Sequence, residues 1–208
     1  MLQFFLFAFA SLFAIVDPIA NIPLYNSLLE RFAEKEKMEI IRKAVLIALL
    51  VLLVFAFAGN YIFALMRISM YSFMIAGGIL LFIISIEMLF GLRTRTETSS
   101  EEQRSAMDKE NIAVTPLAVP LLTGPGAITT AMVVFSQAKT PALAGEFLIA
   151  AIGVFLISYV ILLRGRKVFS LLGTTGSKTI TRIMGLLLAA IAVEFVLNGV
   201  SQAAMVLF

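Results

Sequence analysis

Two short runs in this sequence carry polar and helix-breaking residues that their apolar surroundings do not explain. Asp17-Pro18-Ile19-Ala20-Asn21-Ile22-Pro23 sets an acid, an amide and two prolines inside an otherwise apolar stretch. Pro120-Leu121-Leu122-Thr123-Gly124-Pro125-Gly126-Ala127 repeats the device with prolines, glycines and a threonine. Proline removes a backbone N–H and clashes with the preceding helical turn, and glycine permits close backbone approach. Both stretches are expected to be interrupted helices, the first unwound across residues 17 to 22. Asp followed by Pro suits the N-cap and N1 positions of a restarting helix, although Pro23 complicates so simple a cap. The restarted helices, beginning near Asn21 and near Gly126, would present free N–H groups and the positive end of a helix dipole. That end suits a carboxylate, held by amides from Gly126 to Thr129. Asp17 and Asn21, with freed carbonyls such as those of Val16 and Thr123, suit an ammonium group. A small zwitterion fits better than a lone ion, because both of its charges find partners after losing water. The Gly, Ala and Thr residues of the second run agree with a small pocket, though small residues also serve helix packing.

Three acids, Asp17, Glu87 and Glu194, fall inside apolar stretches, and Asn198 follows Glu194 by one helical turn. Ionisable groups at membrane depth are costly unless paired, hydrated or protonated, and mark function by default. For Asp17 the plainer alternative is a helix cap alone. Glu87 lies toward the end of its stretch and is equally readable as a hydrated structural acid. Glu194 is deeper, and with Asn198 suits a proton carrier or gate. The 208 residues include no His and no Cys, which removes imidazole catalysis, thiol chemistry and the usual zinc or haem ligands. No Ser is paired with a basic residue inside a span. The chain is expected not to be an enzyme and to need no metal or cofactor.

These residues need a membrane scaffold to position them. Hydrophobic residues make up 61% of the chain and charged residues 14%, far from soluble-domain values. A spanning helix needs about 20 mostly apolar residues. Six stretches qualify, near residues 2–28, 44–66, 69–92, 112–137, 145–163 and 180–207. The apolar N-terminus lacks a basic leader region and a small-residue cleavage site, so it reads as a retained first span. Of 16 Lys and Arg residues, fourteen fall in the connections after the first, third and fifth spans or, as Arg182 does, in the first turn beyond them, and only Arg67 and Lys139 in the other connections. The positive-inside rule then places both termini outside. The run from Arg93 to Asn111 is rich in Ser, Thr and Glu without apolar periodicity and reads as a polar cytoplasmic linker.

Pro18, Gly78 and Glu87 are matched by Pro125, Gly185 and Glu194, each pair 107 residues apart. One register aligning scarce residue types points to an internal repeat. The expected fold is an all-α membrane protein of two three-helix halves, 1–92 and 112–208, joined by the linker 93–111. Three spans per half is an odd number, so the halves are inverted, each beginning with a helix interrupted near the midplane. A single proline kink is readily re-satisfied by neighbouring helices. Two at matched positions of inverted halves point to a transporter's binding site.

With DPIANIPLY in the first span and PLLTGPGAITT in the fourth, the chain resembles the MarC family of bacterial and archaeal membrane proteins, which includes the SnatA-type small neutral amino acid transporters. The resemblance covers essentially the whole chain, and neither motif departs from the family pattern. It implies a six-helix inner-membrane protein and, for the SnatA branch, transport of glycine or alanine driven by an ion gradient, with H+ or Na+ as coupling ion. Carried onto matching positions, it makes Asp17, Pro18, Asn21, Pro23, Thr123, Gly124, Pro125 and Gly126 the substrate site. The expected partners are a small zwitterionic amino acid and the lipid bilayer, with no nucleic acid. The competing reading is a channel or exporter for another small solute or cation, coordinated by the acids.

Overall fold

A computed structural model describes residues 2–91 and 112–207; the linker expected at 93–111 lies outside them. Every regular element among the described residues is helical: α1 (Leu2–Val16), α2 (Ile22–Leu29), α3 (Glu34–Met66), α4 (Met70–Phe90), the irregular α5 (Ala113–Leu122), α6 (Pro125–Ser136), α7 (Pro141–Leu163) and α8 (Gly165–Leu207). Four of them, α3, α4, α7 and α8, are long and apolar enough to cross a membrane, while α1 and α6 are shorter apolar helices. Their outer faces are apolar too: Leu46 and Leu50 of α3 and Ile149 and Leu156 of α7 are exposed. Helices apolar all round belong in lipid.

Local chemistry sets the ends. Ser69 and Thr140 cap α4 and α7 by accepting from the amides of Ser72 and Leu143, each at 3.3 Å. Gly91 closes α4 at φ 66°, a left-handed position that favours glycine. Three boundaries differ from the sequence expectation. The charged segment before residue 44 is the first part of α3, which starts at Glu34; Glu36 accepts from the Ala33 amide at 3.0 Å, and acids in a first turn complement the dipole. Residues 165–172 are also helical, and α8 bends only at Gly173, φ 63°. The fourth stretch is irregular well before its break, because Thr115 and Val119 have extended dihedrals inside α5. Each precedes a proline, whose ring pushes the preceding residue out of the helical region.

α4 and α8 form the most extensive packed pair. A Cβ on Gly78 would lie 2.7 Å from the Ala192 carbonyl and 3.1 Å from the Val196 amide, and one on Gly185 would lie 3.1 Å from the Ser85 carbonyl and 3.1 Å from the Leu89 amide. Partner numbers fall as residue numbers rise, so the helices are antiparallel. The contacts are also reciprocal: Gly185, Ala192 and Val196 stand 107 residues after Gly78, Ser85 and Leu89. Boundaries recur at the same spacing, with α2 ending at Leu29 and α6 at Ser136, and α3 beginning at Glu34 and α7 at Pro141. The packing is interleaved. α1 lies on α7 and α8, while α5 and α6 lie on α3, and α6 also on α4. The broken segments are thus held mainly by unbroken helices distant in the chain, α1 by α7 and α5–α6 by α3.

Candidate functional site

The first break is a hydrogen-bonded turn. α1 stops at Val16, and Asp17 has a φ of 32°, unusual outside glycine but tolerated by Asp and Asn. Asp17 Oδ1 accepts from the Ala20 amide at 3.2 Å. It therefore caps a single turn, and α2 begins separately at Ile22, with Pro23 in its first turn and Asn21 at its N-cap position. Asn21 makes no capping bond. Its side-chain amide instead donates to the carbonyls of Val16 at 3.1 Å and Asp17 at 3.3 Å. The carbonyls that the break frees are thereby satisfied within it. Pro18 is buried and Pro23 exposed.

Asp17 is the chemically unfinished member of this turn. It is 5% exposed, and its Oδ2 is buried without a hydrogen-bond partner. The side chain of Thr181, from α8, lies beside the carboxylate. A buried carboxylate oxygen without a donor is costly, and an acid held at positive φ adds backbone strain of the kind that collects at functional positions.

The second break is shorter. Thr123 ends the irregular α5, donating its amide to the Ala118 carbonyl and its hydroxyl to the Ala48 carbonyl of α3, both at 2.9 Å. Gly124 is extended (ψ 179°) and Pro125 opens α6. The Ile128 amide closes the first turn onto Gly124 at 3.0 Å, so the amides of Gly126 and Ala127 precede any intrahelical acceptor. Gly126, Ala127 and Thr129 are buried. Thr130 donates its hydroxyl to the Gly126 carbonyl at 2.9 Å, and the Thr129 methyl fills the space left by Gly77 of α4.

The two breaks are neighbours. A Cβ on Gly126 would come within 2.9 Å of Ile15 Cδ1 and 2.8 Å of Ile84 Cδ1, so the start of α6 abuts the end of α1. The buried Tyr25 hydroxyl of α2 donates to the Leu117 carbonyl of α5 at 2.8 Å. The remaining acids lie apart. Glu194 is exposed and accepts from Asn198 at 3.0 Å; it follows Thr181 by 13 residues, about 20 Å along a helix. Glu87 is half-buried on α4, ten residues beyond Gly77.

Four residues at or near these elements escaped the sequence reading. Tyr25 stands just after Pro23, and its signal was a phenol in an apolar run, which requires a partner when buried. Glu146 opens the fifth apolar stretch, and its Oε2 accepts from the Phe5 amide of α1 at 3.2 Å while Oε1 is buried without a partner. Ser11 and Thr181 gave no signal beyond being hydroxyls among apolar residues.

Among the described residues, regular structure that is helical throughout, with four apolar, membrane-length helices and two broken segments packed among them, defines a multi-pass integral membrane protein. Residues 2–204 match the profile of the MarC family integral membrane proteins. Similar proteins include a UPF0056 membrane protein of Methanocaldococcus jannaschii, 38% identical over 97% of this chain and 98% of that one. Another from Archaeoglobus fulgidus is 39% identical over 97% and 94%, and YvbG of Bacillus subtilis is 32% identical over 96% and 95%. No solved structure matches the chain. The chain belongs to the MarC family.

Proposed function

We propose that this protein is a secondary transporter that moves a small neutral amino acid, glycine or alanine, across the cell membrane by alternating access. It is not an enzyme. The single observation that carries the reading is the meeting of two helix breaks, one bearing a buried carboxylate oxygen without a donor and the other the open first-turn amides of α6. The Gly126 and Ala127 amides hold the substrate carboxylate, and Asp17 holds its ammonium. Asn21 acts indirectly, by keeping the Val16 and Asp17 carbonyls bonded so that Asp17 stays aimed. The α1–α2 and α5–α6 segments are the interrupted first and fourth of six spans. The reciprocal Gly78 and Gly185 contacts support two inverted halves that rock about this point. Both termini face outward, because the α2–α3 and α7–α8 corners bring basic residues to one end. Glu194, with Asn198, and Glu87 lie on the moving helices and serve coupling to H+ or Na+.

Labelled glycine and alanine should bind saturably to purified protein and lose binding in Gly126→Leu, where a longer side chain meets Ile15 and Ile84. Absence of saturable binding in the wild type contradicts the reading. The unpartnered Asp17 oxygen also favours a second one, passage of a cation through the same break. Uptake of a cation without any amino acid distinguishes it.

A further inference from the structure

Away from both breaks, the corner where α7 turns into α8 encloses a cavity of about 250 Å3 against α2 and the start of α3. Four cationic side chains line it, Lys37, Arg164, Arg166 and Lys167, against one carboxylate, Glu34. That carboxylate is already engaged: Lys37 Nζ lies 2.9 Å and Arg166 Nη1 3.3 Å from its Oε1. Arg164 and Lys167 have no anionic partner among the described residues. A concave, cationic, partly enclosed volume of this kind fits a phosphate-bearing group.

The surroundings bear on what carries the phosphate. Met38 and Leu163 also line the cavity and are exposed, at 45% and 40%. Basic groups beside outward-facing apolar residues at the end of membrane-length helices match a phospholipid, whose headgroup enters the cavity while its chains stay in the bilayer. The cavity also touches the mechanism's moving parts. A Cβ on Gly165 would come within 3.2 Å of Ile22 Cγ2 and 3.5 Å of Asn26 Oδ1, so an occupant here braces α2, the half-helix that follows the first break.

We propose that this cavity is a binding site for a phosphate group, supplied by an anionic phospholipid headgroup or by a free phosphate ion, and that its occupancy fixes α2 against the α7–α8 corner. The inference does not depend on what the breaks transport. It is tested on delipidated, detergent-purified full chain by thermal unfolding against increasing short-chain phosphatidylglycerol, phosphatidylcholine and inorganic phosphate. Phosphatidylglycerol should raise the midpoint saturably and phosphatidylcholine should not. The exposed pair Arg164→Gln with Lys167→Gln should weaken the effect about 30-fold, from roughly one surface-charge contribution per side chain. Arg67→Gln, at a different turn, should leave it unchanged. A saturable response to inorganic phosphate that the double variant loses assigns the site to the free ion. Equal responses to both lipids, an undiminished response in the double variant, or no response to any of the three probes overturns the proposal. Should the double variant unfold in the absence of ligand, Lys167→Gln alone reads the same loss at about fivefold.

Discussion

A methyl group at Gly78 tests the close antiparallel seam between α4 and α8. Its Cβ would sit 2.7 Å from both the Ala192 carbonyl and Val196 Cγ2, about 0.7 Å inside the 3.4 Å at which ordinary contact begins. At Gly185 the nearest atoms are Met88 Cβ at 2.9 Å and two backbone atoms at 3.1 Å. A side chain can rotate away from an intruding methyl, but a helix backbone moves only if the helices separate. Gly78→Ala and Gly185→Ala should therefore each cost about 1–3 kcal/mol by overpacking, partly offset by the gain in helix propensity of about 0.5–1 kcal/mol. Gly145→Ala is the control, since no atom lies within 4 Å of its added Cβ; it should leave stability unchanged or raise it slightly. The double Gly78→Ala, Gly185→Ala variant should cost less than the two losses together, because separation forced at one site relieves the other. Thermal unfolding of purified protein in detergent measures all four. If Gly78→Ala and Gly185→Ala both unfold with the Gly145→Ala control, the close seam is wrong, and the support it gives to inverted halves is lost.

Further outcomes follow from the same geometry. Tyr25→Phe leaves the Leu117 carbonyl without its donor and should destabilise by about 1–3 kcal/mol, read by the same unfolding assay; an unchanged midpoint would show that the tie between the breaks is unimportant. Asp17→Asn keeps a residue type that tolerates positive φ and should fold normally while losing substrate binding. Asp17→Ala should in addition lose stability, by about 1 kcal/mol or more, through the missing Ala20 bond and the unfavourable φ. Glu194→Gln retains an acceptor for Asn198 and should leave stability alone while flattening the response of flux to pH. A wild-type flux that is already flat removes the coupling role.

The breaks were legible because proline chemistry is local: Pro18, Pro23 and Pro125 act on their own turns, and those turns are where the helices stop. The Gly78 and Gly185 register was legible as spacing, but not that the glycines face one another's helices. That depends on how α4 and α8 cross. The early disruption of α5 is also written in the sequence, in Thr115 before Pro116 and Val119 before Pro120, since each proline pushes the residue before it out of the helical region. Nothing in the spacing could have paired Tyr25 with Leu117 or Glu146 with Phe5, since those bonds join segments 92 and 141 residues apart. Asn21 was expected near an ammonium group; its side-chain N–H groups are spent on Val16 and Asp17 inside the turn, a local role the spacing did not reveal. A short polar side chain beside freed carbonyls meets those carbonyls first. Glu194 was singled out with Asp17 as an acid deep in an apolar stretch, but position along the chain carries no distance between helices, and α8 sets the two acids far apart.

The most direct test of the transport reading is flux of labelled glycine and alanine into proteoliposomes containing the purified protein. The wild type should give saturable, amino-acid-specific uptake, and Asp17→Asn and Gly126→Leu should each abolish it while unfolding cooperatively, as the wild type does. No uptake above empty liposomes for either amino acid, in either orientation and under H+ and Na+ gradients, or wild-type uptake in both variants, contradicts the account.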